Sequence, residues 1–356
     1  MKIRFLSIKN LRGIRELGCS GLGDVVIVGG RNNCGKSTFL EAVQLVNSSC
    51  NGALLVDANV ARTQTVASWD DITPIFSDCR VDRAIEVSAH GDGEQLSEVT
   101  VTLRDRPNAP YTGDASKQAL VGKELVTETT RSNGAERDAF RSRFLYVVAP
   151  KEPVAGDFAR DGWMSVSAAE KTLDGYYLPA NARGIPLARD LARMIDAKAE
   201  SEILWALKSL DDRVEGLTSN NGSIKVNMRG AGGLLPLAMM GDGMMKLVTA
   251  LVAVSKCPKG GVLAIDEIDN GLHYTAYLLL MRTLTAFAKK QDVQLVVTTH
   301  NLEFLERIAE DRELAGVISD SFTYLNLWSD DDGGLQITQY DFAQFAEALQ
   351  AGMEIR

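Results

Sequence analysis

The stretch Val25-Val26-Ile27-Val28-Gly29-Gly30-Arg31-Asn32-Asn33-Cys34-Gly35-Lys36-Ser37-Thr38 constrains this chain more than any other. Four apolar β-formers run into a glycine-bounded loop, and Phe39, Leu40, Val43 and Val46 then recur at helical spacing. Gly30, Gly35, Lys36 and Ser37 fit G-x4-G-K-[ST], the phosphate-binding loop. The glycines let the backbone turn its N–H groups inward as a nest for phosphate oxygens. The helix that follows adds the positive end of its dipole and its unpaired N–H groups. In such a loop Asn32, Asn33, Gly35 and Thr38 border the nucleotide, Lys36 reaches the β- and γ-phosphates, and the Ser37 hydroxyl sits on Mg2+. The stretch therefore predicts a strand, a nucleotide-binding turn and a helix.

Length and charge narrow the rest. At 356 residues the chain can bury a large core, and its length fits two domains or one with insertions. The net charge of −9 argues against a broad nucleic-acid surface, while leaving room for a local basic strip at Arg131, Arg137, Arg141 and Arg143. A solvated helix face explains those arginines equally well. No apolar run approaches the roughly 20 residues of a membrane span. The opening Met1-Lys2-Ile3-Arg4-Phe5 reads as an immediate first strand, without the apolar core of a signal peptide. Five cysteines, an odd number without a C-x-x-C pair, point to a reducing compartment and a cytoplasmic protein.

Along the chain, residues up to about 149 read as mostly β structure around the loop and its helix, with hairpin strands at 83–89 and 98–103, a loop at 104–118 and a strand at 143–148. Residues 155–217 change to 3–4 spacing (Leu187, Leu191, Met194, Ile195, then Leu204, Leu207, Leu210, Val214) and predict two or three helices. The expected organisation is residues 1–154 and 221–356 as two parts of one α/β nucleotide-binding domain, mixed sheet plus antiparallel β subdomain, with a helical lobe inserted at 155–220.

Val262-Leu263-Ala264-Ile265-Asp266-Glu267 supplies a second half to the site: an apolar strand delivering two carboxylates to its C-terminal end, where ligands of parallel sheets sit. Asp266 would hold Mg2+ through its water shell, and Glu267 would polarise the attacking water. More than two hundred positions separate Lys36 from Asp266, far more than compact kinases or small GTPases need, and no Asn-Lys-x-Asp guanine reader occurs.

This layout resembles the ABC-type ATPases of the SMC and RecF kind, and more closely the OLD family and its relatives among bacterial AAA-type ATP-binding proteins. Gly241-Asp242-Gly243-Met244 lies where that group has its signature loop. Asp266-Glu267-Ile268-Asp269-Asn270-Gly271-Leu272-His273 fits D-E-x5-H, Thr298-Thr299-His300 fits the switch histidine, and Ile8-Lys9-Asn10-Leu11-Arg12-Gly13 fits the opening strand-turn. The matches cover roughly the first 50 residues and positions 235–305. The resemblance implies ATP and Mg2+ as cofactors, Lys36, Glu267 and His300 as catalytic, and Arg12 and Gly241–Gly243 as nucleotide contacts. It also implies a homodimer or higher even-numbered oligomer, each loop facing the other copy's signature. The implied role is an ATP-hydrolysing switch over a separately encoded effector, in phage defence or a toxin–antitoxin-like system. A slowly hydrolysing scaffold that holds an effector inactive, and a RecF-like DNA-repair clamp, are the alternatives. The signature lacks the usual serine, and Ala149-Pro150-Lys151 stands where a coupling glutamine is sought after the 143–148 strand. Too few residues follow His300 for the Toprim nuclease that many OLD proteins carry, so none is expected. His273 is read as an interface residue or as structural, and His90 as a turn residue.

Overall fold

The computed structural model describes residues 1–48, 55, 72–106, 122–147, 175–180, 188–196, 198, 200–220, 223–330 and 333–353. The chain opens with a hairpin, β1 (Phe5–Leu11) and β2 (Ile14–Ser20), followed by β3 (Val25–Gly30) and α1 (Lys36–Asn47). Four further strands come next: β4 (Ile85–His90), β5 (Gln95–Arg106), β6 (Gly122–Asn133) and β7 (Glu136–Val147). Then β8 (Gly175–Leu178), α2 (Ala188–Asp196), α3 (Ser201–Leu210), β9 (Val214–Asn220), β10 (Ser223–Met228) and β11 (Leu235–Pro236) lead to α4 (Asp242–Lys256). The last third holds β12 (Val262–Ile265), α5 (Tyr277–Gln291), β13 (Gln294–Thr298), α6 (Leu302–Glu310) and α7 (Arg312–Ile318). It closes with the hairpin β14 (Phe322–Ser329) and β15 (Leu335–Tyr340), and α8 (Phe342–Gln350).

A six-stranded sheet in the order β15-β14-β3-β13-β12-β8 is the centre of the molecule, parallel except for β15. A second six-stranded sheet, β2-β1-β4-β5-β6-β7, is antiparallel throughout, and β11-β10-β9 form a small third one. The run Val25–Val28 is apolar at every position because β3 is covered on both faces. Val26 and Val28 face a core shared with α1 and the antiparallel sheet, through Phe39, Leu40, Leu6 and Ile8. Val25 and Ile27 face the other core, built with helices of the C-terminal half. Helix α1 thus lies between two sheets, which is why Phe39, Leu40, Val43 and Val46 are all buried.

The two sheets are locked at the end of the strands opposite the phosphate-binding loop. Gln294 accepts from Ile3 N–H at 2.7 Å and donates to the carbonyls of Ile3 at 2.8 Å and Gly23 at 2.6 Å. Lys2 reaches Asp24 at 2.9 Å and Asp292 at 2.8 Å, while Arg4 bridges Asp24 and Asp92.

Several expectations change. The 155–217 span does contain two helices, but it also contains β8, a strand of the central sheet beside β12. Ile203, Ala206 and Leu207 of α3 are buried in the same core as α4 and α5. The basic strip is not a helix face: Arg131, Arg137, Arg141 and Arg143 belong to the β6–β7 hairpin. Arg131 donates to the Val46 carbonyl at 3.2 Å and Arg141 pairs with Glu128 at 3.1 Å. The strand expected at 143–148 is part of β7, at the edge of the antiparallel sheet and not in the sheet that holds β12. Ala149-Pro150-Lys151, the loop beyond Arg106, Leu187 and Asp331-Asp332 lie outside the described residues.

Candidate nucleotide site

β3, β13 and β12 are consecutive parallel neighbours, so their C-terminal ends emerge side by side. Each carries one of the motifs, and strand adjacency brings the three together across the length of the chain. From β3 comes the loop. Gly30, Asn33 and Gly35 have φ of 134°, 64° and 86°, the left-handed geometry that turns successive N–H groups toward a common centre. A Cβ on Gly30 would lie 2.3 Å from the Leu327 carbonyl, and one on Gly29 would lie 1.8 Å from the Tyr324 hydroxyl. Both glycines are therefore dictated by β14 packing at their backs. Gly35 caps α1 without a side-chain hydrogen bond, so the first N–H groups of the helix take no partner from its cap residue. Lys36 is buried and donates from Nζ to the carbonyls of Gly30 and Arg31, both at 2.8 Å. Asn32 and Asn33 are exposed at the loop's tip, Ser37 is half-buried, and Thr38 is buried. Burial pushes the Cys34 thiol up against the opposing pull of Lys36, which keeps it a packed, protonated group. Arg12, implied as a nucleotide contact, lays its guanidinium on the buried Glu41 of α1 at 2.5 Å and on the Leu55 carbonyl.

From β12 come Asp266 and Glu267. Asp266 is buried and accepts from Thr298 Oγ1 at 2.6 Å, with the Tyr177 hydroxyl of β8 at 3.5 Å from its other oxygen. The same Thr298 oxygen accepts from Glu267 N–H at 2.8 Å. Glu267 has φ of 47°, a left-handed conformation rare for a residue of its kind and frequent at functional turns. That twist carries its carboxylate toward the end of β13, where Oε1 lies 3.7 Å from His300 Nδ1. Thr299 Oγ1 donates to Asp269 at 2.6 Å, fixing the turn that follows. Lys36, Asp266, Glu267 and His300 are thus carried by three neighbouring strand ends, two of them in direct contact.

The signature loop sits on the far side of the acidic turn. Gly241 caps α4 with no side-chain bond, and a Cβ on Gly271 would meet Asp242 Cβ at 3.5 Å. Gly241 and Asp242 are exposed, and so are Leu234, Leu235 and Met239 in the segment that precedes them and Tyr274 after the acidic turn. His273 bonds Thr275 and stacks on Tyr274, while His90 packs edge-on against Phe5.

Sequence reasoning missed three groups. Thr298 was visible beside His300 but had no assigned role. Tyr324 shows only as one aromatic among many. Lys246, on α4, donates from Nζ to the Glu267 carbonyl at 2.5 Å and the Asn270 carbonyl at 2.9 Å. Burial pushes this ammonium down to about 8, opposed by Asp269, Glu267 and Asp266. No local pattern distinguishes it from a surface lysine.

A phosphate-binding loop, an acidic strand end and a histidine on three adjacent parallel strands, in a mixed sheet backed by an antiparallel one, define a P-loop ATPase. The chain belongs to the family described as "AAA domain, putative AbiEii toxin, Type IV TA system", whose match covers residues 25–306. It is 22% identical over 326 residues to a Helicobacter pylori protein named ATP/GTP phosphatase, spanning 85% of this chain and 86% of that one. It is 48% identical over 144 residues to an uncharacterized protein of Methanocaldococcus jannaschii, spanning 40% of this chain and 61% of that one. Among solved structures it is similar to the SMC head domain from Thermotoga maritima, at 13% identity and TM-score 0.43, covering 96% of this chain and 100% of that chain. It is also similar to an Smc head domain bound to the C-terminal domain of ScpA derived from Pyrococcus furiosus, at 13% identity and TM-score 0.48, with 98% of each chain covered. No helix among the described residues is long and apolar enough to cross a membrane.

Proposed function

We propose that the chain is an ATP-hydrolysing switch in which two copies close around ATP and thereby control a separately encoded partner. The observation that carries this reading is the meeting of Glu267 and His300, 3.7 Å apart, beside the buried Asp266 and across β13 from the phosphate-binding loop. In this reading the loop N–H groups and Lys36 bind the phosphates, Glu267 orients the attacking water, and His300 donates to the departing phosphate edge. The donor set fits Mg2+: a hydroxyl at Ser37 and one buried carboxylate at Asp266 are hard oxygen ligands, and phosphate and water supply the rest. Bound there, the ion would neutralise charge on the β- and γ-phosphates.

The second copy is supported by the signature loop. The exposed Gly241 and the N–H groups of α4, which take no side-chain cap, form a phosphate-binding helix end beside the acidic turn. The exposed apolar rim of Leu234, Leu235 and Met239, on the approach to α4, is the kind of surface that a partner molecule covers. Trp205 on α3 stands 59% exposed, and that outward face of α3 is the part offered to an effector. The family description supports a toxin–antitoxin-like role for that effector pair, and defence against phage is the corresponding biology. A slow-turnover scaffold is the second reading, favoured by Asp242, whose carboxylate occupies the same helix end that a phosphate would approach.

Steady-state phosphate release decides between them. Turnover in the wild type that disappears in Glu267→Gln, with ATP binding retained, is the result the switch requires. A wild type that binds ATP without releasing phosphate above background leaves only the scaffold.

A further inference from the structure

Glu267 must hold a left-handed backbone for its carboxylate to meet His300, and nothing in its own side chain favours that conformation. Its surroundings hold it at three points. Thr298 Oγ1 takes its N–H, Asn270 donates its N–H to the Glu267 carbonyl at 3.0 Å, and Lys246 Nζ donates to that same carbonyl and to Asn270's. The first two partners belong to the acidic turn and the neighbouring strand end. Lys246 alone comes from elsewhere, one turn into the helix that Gly241 opens.

We propose that Lys246 is a positioning residue that ties the signature helix to the backbone of the hydrolytic carboxylate, so that the orientation of α4 sets whether Glu267 faces its water. The ammonium bridges two carbonyls of one tight turn, and a cation with three donors is suited to both at once. Asp269, Asp266 and Glu267 surround it and favour its charged form against the cost of burial. A second nucleotide seated on Gly241–Gly243 would press on the first turn of α4, and Lys246 lies within that turn's reach. The coupling deepens the hydrolytic reading of the site and rests on it.

The test compares wild type, Lys246→Met and Lys246→Arg in phosphate release over a range of ATP, alongside binding of a fluorescent ATP analogue. A displaced catalytic group costs on the order of 100-fold in rate, so Lys246→Met should lower kcat by about 10- to 100-fold while KM and analogue affinity stay within about 2-fold. Lys246→Arg should recover most of the rate, because a guanidinium still donates to both carbonyls. Combining Lys246→Met with Glu267→Gln should add no further loss beyond Glu267→Gln alone. Lys246→Gln, which keeps a polar end, replaces the Met variant if the latter does not fold. Wild-type turnover in both uncharged variants would overturn the proposal, as would equal losses in kcat and affinity that Arg fails to rescue. A wild type without turnover would instead overturn the hydrolytic reading, and this inference with it.

Discussion

Thr298 occupies the point where the two acidic residues are held apart in role. Its hydroxyl donates to the Asp266 carboxylate and accepts from the Glu267 N–H, so one oxygen orients a prospective metal ligand and a prospective base. Groups that orient a metal-ligating carboxylate typically contribute 10- to 100-fold to metal affinity or activity, so Thr298→Val should lose about that much phosphate release and shift the Mg2+ requirement upward. Thr298→Ser should stay within a few-fold of wild type, and a Mg2+ titration of both variants checks the pair. Gly29 makes a different demand. An alanine there would place Cβ 1.8 Å from the fully buried Tyr324 hydroxyl, so Gly29→Ala should destabilise the chain by about 3 kcal/mol or more in urea denaturation. The phosphate-binding loop was legible in the sequence because its chemistry is local: consecutive residues fix both the nest and the helix that follows. Gly29's constraint was not, because the atom that forbids a side chain comes from β14. The same holds for Lys246, whose partners are a turn made by other residues, and for the contact of Arg12 with Glu41 of α1.

At the scale of elements, α7 shows how a cap can join two helices. Asp311 accepts from Leu314 N–H at 2.7 Å and receives both Arg282 Nε, at 3.2 Å, and Nη2, at 2.5 Å, from α5. Burial alone would push this carboxyl up, but the Arg282 guanidinium and the helix N–H overcome it and hold it below 3.8. A carboxylate with a lowered pKa adds stability above its unfolded value and loses it as pH falls through the folded one. Asp311→Asn should therefore cost about 1–2 kcal/mol at neutral pH, and that difference should shrink on acidification below about pH 4 in parallel denaturant melts. Elements were legible wherever periodicity and turn residues agreed, as for the hairpin strands expected at 83–89 and 98–103, which are β4 and β5. β8 was not. Its four residues, Gly-Tyr-Tyr-Leu, are too short to show a period, and only their place beside β12 reveals them as a strand of the central sheet.

Across the whole molecule, fixed and working ends lie on opposite sides of the central sheet. Gln294, Lys2, Arg4 and their acidic partners staple the two sheets at one end, while the loop, the acidic turn and His300 gather at the other. An exposed apolar rim, Leu234, Leu235 and Met239, precedes α4 in the chain, and Met239 is its most prominent member at 78% exposure. If a second copy covers the rim, then Met239→Glu should leave ATP binding intact and abolish assembly. The most direct measurement is sedimentation velocity of the Glu267→Gln protein, with and without ATP and Mg2+. Monomer without nucleotide, dimer with it, and monomer again when Met239→Glu is added is the predicted result. A Glu267→Gln protein that binds ATP and Mg2+ yet sediments as a monomer at every concentration would contradict the composite site.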